Sequence, residues 1–461
     1  MCASPPTWPL PDGRVAAPAY QAALDYLLGL SRRPHDPATQ RAHKVARTRH
    51  LLALLGDPQD RFETILVAGT KGKGSTTALL AAILQATGRR VGRFTSPHLL
   101  SFRERIWATG AFISPADLAA GAARLAPCIA ALEQRWPALG PVTTFEAALA
   151  LACDYFARQG CEVAAVEVGI GGAHDATNAL EPRVSLVTAI SEDHRDVLGP
   201  TLVDIAAAKA GILRARRPAV SAPQVPAAAA VLAARARALD VPLAWVGREW
   251  RWQPLGSPAG RAPFAVRGPA LALDHLTLPL LGRHQRDNAT LAIAGARALL
   301  GAALEPSAVA HGLRTVVWPG RAQLVPGAPP LLLDGAHNTA SAAVLRETLR
   351  ECFPERSCVL VLACSADKDA AGIVQALAPA ARAAVATATA HERALPAATL
   401  AGLLRAAGLP TITAAAPPTA LATAASLAGP EGLVVVTGSL FLVGAALAHL
   451  ALSQAHDGDC A

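Results

Sequence analysis

The sequence predicts an α/β protein of two domains: a doubly wound, mostly parallel sheet with a small antiparallel appendage, and a smaller Rossmann-like α/β domain. Three observations support this. Between residues 65 and 222, short apolar strands alternate with helical patterns, which is typical of a parallel sheet covered by helices. Residues 242–281 hold short β-like pieces separated by Gly and Pro, which predict the appendage. The α/β rhythm restarts near residue 331 without a second phosphate-binding motif, so the second domain is not a copy of the first.

The central feature is a strand, a glycine-rich loop and a helix in succession. Ile65–Ala68 is predicted as a buried strand, Gly69–Gly74 as the loop and Thr76–Thr87 as the helix. Such a loop directs backbone amides into one concavity at a helix N-terminus, where phosphate binds. Lys73 can reach terminal phosphates, and Ser75 offers a hydroxyl to Mg²⁺. An extra glycine separates these two residues and departs from the usual phosphate-loop pattern, so a simple tight turn is the alternative.

Polar side chains follow two further strands. Glu167 lies at the end of the strand Cys161–Val168, where a carboxylate can hold Mg²⁺; a solvated strand-end charge is the alternative. His194 follows the strand Val184–Ile190 and is either a metal ligand or an ordinary loop histidine. Because the carboxyl ends of parallel strands meet at one edge of a sheet, these groups and the phosphate loop predict one nucleotide–metal site.

Two other polar positions leave alternatives open. The segment Thr95–Arg105 follows a short strand at Arg90–Phe94, so it is either a ligand-binding loop or a surface loop. Lys209 lies in an alanine-rich helix, and composition alone favours a solvated helix face for it.

Composition excludes several classes of protein. The 461 residues, of which 52% are hydrophobic, allow two or three domains with sizeable cores. The net charge of +8 comes with arginines spread along the chain, without a basic stripe interleaved with aromatics, so we expect no nucleic-acid partner. The eight cysteines form no C-x-x-C pair and indicate buried thiols in a reducing compartment. Since there is neither a signal sequence nor an apolar run of 18 residues free of breakers, we expect a cytoplasmic protein that does not bind membranes.

The patterns also predict boundaries. We expect a loose tail over 1–18, a first domain over 19–302, a connection over 303–318 and a second domain over 319–461. Asn288 is predicted to be the N-cap of a helix over Ala289–Leu300. The predicted strands of the appendage are 243–246, 250–252, 264–266 and 276–280.

The strand ends of the second domain are polar as well. Asp334 and His337 follow a strand at Leu331–Leu333, and Ser439 follows one at Leu433–Val436. These side chains suggest a face presented to the first domain, with a helix-capping loop as the alternative for the first two.

Taken together, the motifs resemble those of folylpolyglutamate synthase and dihydrofolate synthase, members of the Mur-ligase superfamily. The resemblance runs from about Leu51 to Gly444 and includes the extra glycine of the phosphate loop. The other matching motifs are Thr95–Leu99 with Arg103–Arg105, Glu167–Gly172 with Asp175–Asn178, Asp193–His194, Lys209–Ile212, Gly282–Gln285 with Asn288, Gly320–Arg321 and Asp334–Asn338.

The resemblance implies a role for each matching residue. It places the phosphates of ATP on Gly69, Thr70, Gly72, Lys73, Gly74, Ser75 and Thr76. It implies that two Mg²⁺ ions are held by Ser75, Ser96, Glu167 and His194, and that Lys209 carries a carbamate. It implies that ATP is also contacted by Asn288, Arg321, Asp334 and His337, which close over the nucleotide. The implied catalytic set is Lys73, Glu167, His194, Lys209 and His337, with Phe145 and Asp175 on the pteroate side and Ser439 near the incoming glutamate.

The implied reaction is the ATP-dependent addition of L-glutamate to a folate or dihydropteroate carboxylate through an acyl phosphate, with ADP and phosphate as products. A monomeric enzyme that accepts both acceptors is expected, and one that acts on folates only is the alternative. Lys71 stands where many bacterial members have asparagine, and His174 is unusual in the glycine motif. Neither departure decides between the acceptors.

Three other classes stay open. A P-loop ATPase switch with a macromolecular partner would hydrolyse ATP without glutamate, but the sequence has no N-K-x-D guanine motif. A sister ligase would take a UDP-linked peptide, which the Asp175–Asn178 and Gly282–Gln285 motifs disfavour. A non-catalytic homologue is disfavoured by the intact set Lys73, Glu167, His194, Lys209 and His337.

Overall fold

The fold was analysed in a computed structural model that describes residues 11–12, 15, 17–33, 36–256 and 262–458. The described chain divides into two compact units. Unit 1 comprises the residues up to Gln253 together with Phe264–Thr277 and Arg286–Val317, and unit 2 comprises Pro254–Pro263, Leu278–Gln285 and the chain from Trp318 onward.

Unit 1 is built on one twisted sheet. Within the described residues this sheet has eight strands in the order β4-β3-β2-β5-β1-β6-β7-β8. The strands are β1 Glu63–Ala68, β2 Val91–Phe94, β3 Ile106–Ala108, β4 Ala111–Phe112, β5 Val163–Glu167, β6 Pro182–Val187, β7 Ala219–Ser221 and β8 Leu243–Trp245. The pairs β2–β3 and β3–β4, at one edge, are antiparallel, and the other neighbouring strands are parallel. The central strands β1 and β5 are mostly apolar and are buried except at Glu63, as expected when helices cover both faces of a parallel sheet.

The helices that cover this sheet follow the strands in alternation. They are α1 Pro18–Gly29, α2 Pro37–Leu54, α3 Lys73–Ala86, α4 Pro115–Arg135, α5 Thr144–Arg158, α6 Arg195–Leu198, α7 Leu202–Ala210, α8 Pro226–Ala238, α9 Arg283–Leu300 and α10 Pro306–Thr315. No helix in the described part of the chain is both long enough and apolar enough to cross a membrane.

The antiparallel appendage is confirmed, but two of its predicted strands are wrong. It consists of β9 Arg251–Pro254, β10 Phe264–Gly268 and β11 Leu271–Leu276, in the order β11-β10-β9. The predicted strand at 243–246 instead forms β8, which extends the main sheet because the Trp245 ring is buried in the core of unit 1. The segment 276–280 is not a strand, since β11 ends at Leu276.

Two further expectations differ from the structure. Asn288 is not an N-cap, because α9 begins five residues earlier, directly after Gly282 with its φ of +96°. The predicted connection over 303–318 is largely the helix α10, which packs on α3 within unit 1. A Cβ at Gly312 of α10 would lie only 2.6 Å from the Cα of Ile83, so the two helices are in backbone contact.

The predicted loose tail over 1–18 falls mostly outside the described residues. Its described residue Asp12 is held in place rather than loose. The Asp12 carboxylate accepts hydrogen bonds from Ser101 Oγ at 2.7 Å, from the Phe102 amide at 3.0 Å and from the Tyr20 hydroxyl.

Unit 2 is a second α/β layer structure. Its described sheet has six strands in the order β12-β13-β17-β14-β15-β16, parallel except for β12. The strands are β12 Gln323–Val325, β13 Leu331–Leu333, β14 Cys358–Leu362, β15 Ala383–Ala386, β16 Thr411–Thr413 and β17 Leu433–Thr437. The helices are α11 Thr339–Cys352, α12 Ala370–Leu377, α13 Ala397–Ala406, α14 Pro417–Ala428 and α15 Leu440–Gly458. The predicted α/β class of both domains is therefore confirmed.

Candidate functional site

The glycine loop lies between β1 and α3 and is shaped by close approach to its neighbours. Gly69 and Gly72 have φ values of +142° and +88°, which favour glycine. A Cβ at Gly69 would lie 1.9 Å from Thr188 Oγ1, and one at Gly72 would lie 2.4 Å from Asn288 Oδ1. Since α3 begins at Lys73, the loop ends at a helix N-terminus, which is the arrangement that binds phosphate.

The loop is tied to the segment that follows β6. The Thr70 amide donates to the Ala189 carbonyl at 3.0 Å, and the Thr70 hydroxyl donates to the Ser191 carbonyl at 3.0 Å. The Lys71 ammonium forms an ion pair with Asp193 Oδ2 at 2.9 Å. These contacts between the loop and the segment after β6 fix the position of the phosphate loop relative to Asp193 and His194.

Glu167 and Ser96 lie together at the same edge of the sheet. Glu167 is the last residue of β5 and stands opposite Val67 of β1 in the parallel register. Its Oε2 accepts a hydrogen bond from the Ser96 amide at 2.9 Å, and its side chain is buried. Glu167 therefore ends the strand next to the one that carries the phosphate loop, and its position at the carboxyl end of a strand agrees with the sequence analysis.

The buried Arg93 and the partly buried Arg105 contribute to the electrostatic potential around Glu167. Burial lowers the pKa of Arg93 and of Arg105 to about 10, while the negative charges of Glu104 and Glu167 act in the opposite direction. Both guanidinium groups stay protonated near neutral pH, so they place positive charge near the carboxylate of Glu167.

Lys209 is buried, which contradicts the solvated helix face that composition favours. Its side chain projects from α7, and Nζ donates to the Gly69 carbonyl at 2.8 Å. Burial lowers the pKa of Lys209 to about 7, and the positive charge of Lys73 acts in the same direction. A large fraction of this amine is therefore neutral near pH 7, beside the phosphate loop.

The donor set at this edge fits Mg²⁺ bound together with phosphate oxygens. Ser75 and Glu167 supply hard oxygen atoms, and both are nearly fully buried. His194 has a left-handed backbone with φ of +51° and a half-exposed side chain next to Asp193. Among the described residues no group of three or more His, Cys, Asp and Glu side chains could hold a metal. A magnesium ion here would thus depend on the substrate and water for most of its ligands, which is usual for Mg²⁺.

Asp175 organises the glycine segment that follows β5. It accepts hydrogen bonds from the Thr177 hydroxyl at 2.7 Å and from the Gly169 and Ile170 amides at 3.3 and 3.2 Å. Phe145 lies against Gly169, where a Cβ would come within 2.8 Å of its ring. Asp175 and Phe145 are thus brought together at Gly169, and Asp175 has a local structural role that the sequence did not reveal.

Three buried polar side chains have structural roles that sequence reasoning did not reveal. Arg47 on α2 forms an ion pair with Glu146 on α5 at 2.8 Å, with both side chains fully buried. The Glu104 carboxylate accepts hydrogen bonds from the successive amides of Leu99, Leu100 and Ser101 at 2.7–2.8 Å. The capping-box spacing of Thr143 with Glu146 and of Ser101 with Glu104 was the available local signal, whereas nothing local distinguishes Arg47.

The predicted residues of unit 2 form a cluster of their own. Asp334 accepts hydrogen bonds from the amides of Ala322 and Ala336 at 2.8 and 2.9 Å, and burial raises its pKa against the attraction of Arg321. His337 Nδ1 donates to the Gly335 carbonyl at 2.8 Å. Ser439 is buried, and its hydroxyl accepts from the Phe441 amide at 3.1 Å.

The structure therefore brings together in unit 1 the phosphate loop, Glu167 with Ser96, Lys209 and Asn288. In unit 2 it brings together Asp334, Arg321 and His337.

The chain matches two family models. Residues 128–296 match the Mur ligase middle domain, and residues 320–440 match the Mur ligase glutamate ligase domain. The first range lies mostly in unit 1, and the second lies in unit 2.

Curated relatives and solved structures resemble the chain over most of its length. The dihydrofolate synthase/folylpolyglutamate synthase of Mycobacterium tuberculosis is 38% identical over 375 residues, covering 78% of this chain and 77% of the relative. The protein of the same name from Bacillus subtilis is 34% identical over 364 residues, covering 78% and 83%.

The structure of Mycobacterium tuberculosis folylpolyglutamate synthase complexed with ADP has a TM-score of 0.85 and 35% identity, covering 93% of this chain and 97% of that one. That of E. coli FolC in complex with DHPP and ADP has a TM-score of 0.81 and 28% identity, covering 95% and 99%. With this identity and coverage, the chain belongs to the dihydrofolate synthase/folylpolyglutamate synthase family of the Mur ligase superfamily.

Proposed function

We propose that the chain is an ATP-dependent ligase that adds L-glutamate to a folate or dihydropteroate carboxylate and forms ADP and phosphate. One observation carries the proposal: the glycine loop and Glu167 follow neighbouring parallel strands, β1 and β5, at one edge of the sheet. This is the arrangement that a nucleotide with its metal requires.

In this proposal the loop amides and Lys73 bind the phosphates of ATP. Ser75 and Glu167 would hold one Mg²⁺, and Ser96, Glu167 and His194 would hold a second. Magnesium neutralises charge while an anionic acceptor approaches the γ-phosphate. Arg93 and Arg105 place positive charge near the carboxylate of Glu167.

The acceptor carboxylate attacks the γ-phosphate and gives an acyl phosphate with release of ADP. The α-amine of glutamate then attacks the acyl carbon, loses a proton, and phosphate leaves. No protein nucleophile is required, so binding and positioning supply the catalysis. We assign Asn288, Arg321, Asp334 and His337 to the nucleotide and Ser439 to glutamate; these roles stay predictions.

We propose further that the enzyme accepts both dihydropteroate and folates. The names of the Mycobacterium tuberculosis and Bacillus subtilis relatives combine both activities, and the E. coli neighbour was solved with DHPP and ADP. Phe145 and Asp175 are our candidates on the pteroate side. A monomeric state and a cytoplasmic location also stay predictions.

Lys209 is proposed to react with CO₂. Its neutral amine would form an N–C bond to the carbon of CO₂ and release one proton, which leaves a carbamate. The lowered pKa of Lys209, about 7, supports this because only the neutral amine is nucleophilic.

The test is ADP release with ATP, Mg²⁺ and L-glutamate, with 7,8-dihydropteroate or tetrahydrofolate as the acceptor. Glutamate-dependent turnover with both acceptors is the expected result. Turnover with tetrahydrofolate alone would leave a folylpolyglutamate synthase only. ADP release that needs neither glutamate nor an acceptor would overturn the ligase and favour an ATPase switch.

Substitution of Lys209 by alanine is predicted to abolish ligase activity while ADP binding is retained. ADP binding is expected to remain because the substitution removes the hydrogen bond of Lys209 to the Gly69 carbonyl, at 2.8 Å, and leaves the loop amides and Lys73 unchanged. Turnover and calorimetric ADP affinity measure the two properties separately, and Lys44→Ala on α2 is the matched control. Full turnover by Lys209→Ala would contradict the assigned role.

A further inference from the structure

The three-stranded sheet β9–β11 contacts helix α9 next to Asn288, the residue of α9 that lies against the phosphate loop. Trp252 of β9 donates a hydrogen bond from Nε1 to Asp287 Oδ1 at 2.8 Å. The guanidinium carbon of Arg286 lies 5.2 Å from the centre of the Trp252 ring and 5.9 Å from that of Phe264 in β10. Two successive residues of α9 are thus held by two strands of the small sheet.

The next residue of the helix, Asn288, reaches the phosphate loop. Its side chain is buried, and its Oδ1 lies 2.4 Å from the position that a Cβ on Gly72 would occupy. Gly72 directly precedes Lys73, the first residue of α3. The Asn288 amide therefore lies against the part of the loop that would cradle phosphate.

The helix transmits the restraint between these contacts. Successive residues of an α-helix are rotated by about 100° around its axis. Contacts that hold Arg286 and Asp287 therefore also fix the direction in which the next residue, Asn288, leaves the helix. The hydrogen bond from Trp252 to a carboxylate is charge-assisted, and a cation over an indole ring adds a favourable contact. Both contacts restrain Asp287 and Arg286, and through them the direction of the Asn288 side chain.

We propose that Trp252 is a positioning residue for nucleotide binding, which acts through Asp287 to hold Asn288 against the phosphate loop. The small sheet then stabilises the nucleotide site and is not an independent appendage. The inference rests on the proposed function, because it assumes that the loop beside Asn288 binds the phosphates of ATP.

The test is the substitution Trp252→Phe, which keeps a ring beneath Arg286 and removes the Nε1 donor. The full-length variant should bind ADP about threefold to tenfold more weakly, as expected for the loss of one hydrogen bond. The KM for ATP should rise in parallel, while kcat changes less than twofold. Calorimetric titration with ADP and steady-state kinetics are the two measurements.

Two variants separate positioning from a general loss of stability. Trp245→Phe removes another indole from unit 1 and should leave ADP affinity within twofold of the wild type. Asp287→Asn keeps an oxygen acceptor for Trp252 and should keep most of the affinity, whereas Asp287→Ala should reproduce the loss. Asp287→Ala also serves as the test if Trp252→Phe does not fold.

A double-mutant cycle tests the route through Asn288. Asn288→Ala alone should weaken ADP binding, and adding Trp252→Phe should produce little further loss, because the residue being positioned is already gone. Additive losses, or unchanged ADP affinity in Trp252→Phe, would overturn the inference. Failure of the wild-type protein to bind ADP would instead overturn the proposed function, so the two failures are distinguishable.

Discussion

At the scale of single residues, Lys71 connects the phosphate loop to the segment that follows β6. Lys71 stands where many bacterial members of the family have asparagine. In the structure the Lys71 ammonium forms an ion pair with Asp193 at 2.9 Å, and both side chains are between a fifth and a third exposed. We infer that Lys71 holds the Asp193–His194 segment in place beside the loop.

Substitution of Lys71 by alanine is predicted to weaken Mg²⁺ binding more than nucleotide binding. The Mg²⁺ concentration for half-maximal turnover should rise about twofold to fivefold, in line with the energy of a partly exposed ion pair. ADP affinity measured without Mg²⁺ should change less. Lys71→Arg is the matched control and should behave as wild type; an equal loss of metal-free ADP affinity would contradict the interpretation.

At the scale of elements, helices of unit 1 are joined to each other by contacts that differ in kind. The helices α2 and α5 are joined by the fully buried ion pair of Arg47 and Glu146. The helices α3 and α10 are joined by close backbone packing at Gly312. Each contact leads to a separate prediction.

Glu146→Ala is predicted to destabilise the protein by about 3–5 kcal/mol, because it leaves the buried charge of Arg47 without its carboxylate. Urea unfolding followed by circular dichroism measures the effect. The control is Asp274→Ala, which breaks the exposed Arg267–Asp274 pair and should cost less than about 1 kcal/mol. Equal effects of the two substitutions would show that burial of the first pair has no energetic consequence.

Gly312→Ala is predicted to lower stability by about 1–3 kcal/mol through overpacking of α10 against α3. Gly402→Ala is the matched helical substitution: its Cβ would meet no atom within 4 Å, so it should raise stability by about 0.5–1 kcal/mol. Thermal and urea unfolding of both variants check the opposite signs. A stabilising Gly312→Ala would show that α10 can move away from α3.

At the scale of the whole molecule, nucleotide binding and folding are linked. A ligand that binds only the folded state raises the free energy of unfolding by an amount set by its concentration relative to Kd. The phosphate loop lies entirely within unit 1, so the transition of this unit should respond.

ADP with Mg²⁺ at one hundred times its Kd is predicted to raise the free energy of unfolding of unit 1 by about 2.7 kcal/mol. Denaturant unfolding at constant protein concentration, with and without ADP, measures the shift. Lys73→Ala should abolish it, since the ammonium group that reaches the phosphates is removed. A shift that persists in this variant would place the nucleotide elsewhere.

The sequence by itself determined the features that depend on local order. The α/β class follows from the alternation of apolar strands and helical patterns, and the phosphate loop from glycines between a strand and a helix. The polar strand ends at Glu167 and His194 were predicted for the same reason, because the carboxyl ends of parallel strands must meet at one edge. The order of the motifs was sufficient to identify the family.

The tertiary structure alone decided the features that depend on partners distant in the chain. Lys209 is buried because Gly69, 140 residues away, accepts its hydrogen bond, and β8 joins the main sheet because the Trp245 ring packs into its core. The contact of Trp252 with Asp287 has no local pattern that reveals it. Burial and long-range hydrogen bonds come from the whole fold, and they convert an alanine-rich helix and a small sheet into parts of the candidate site.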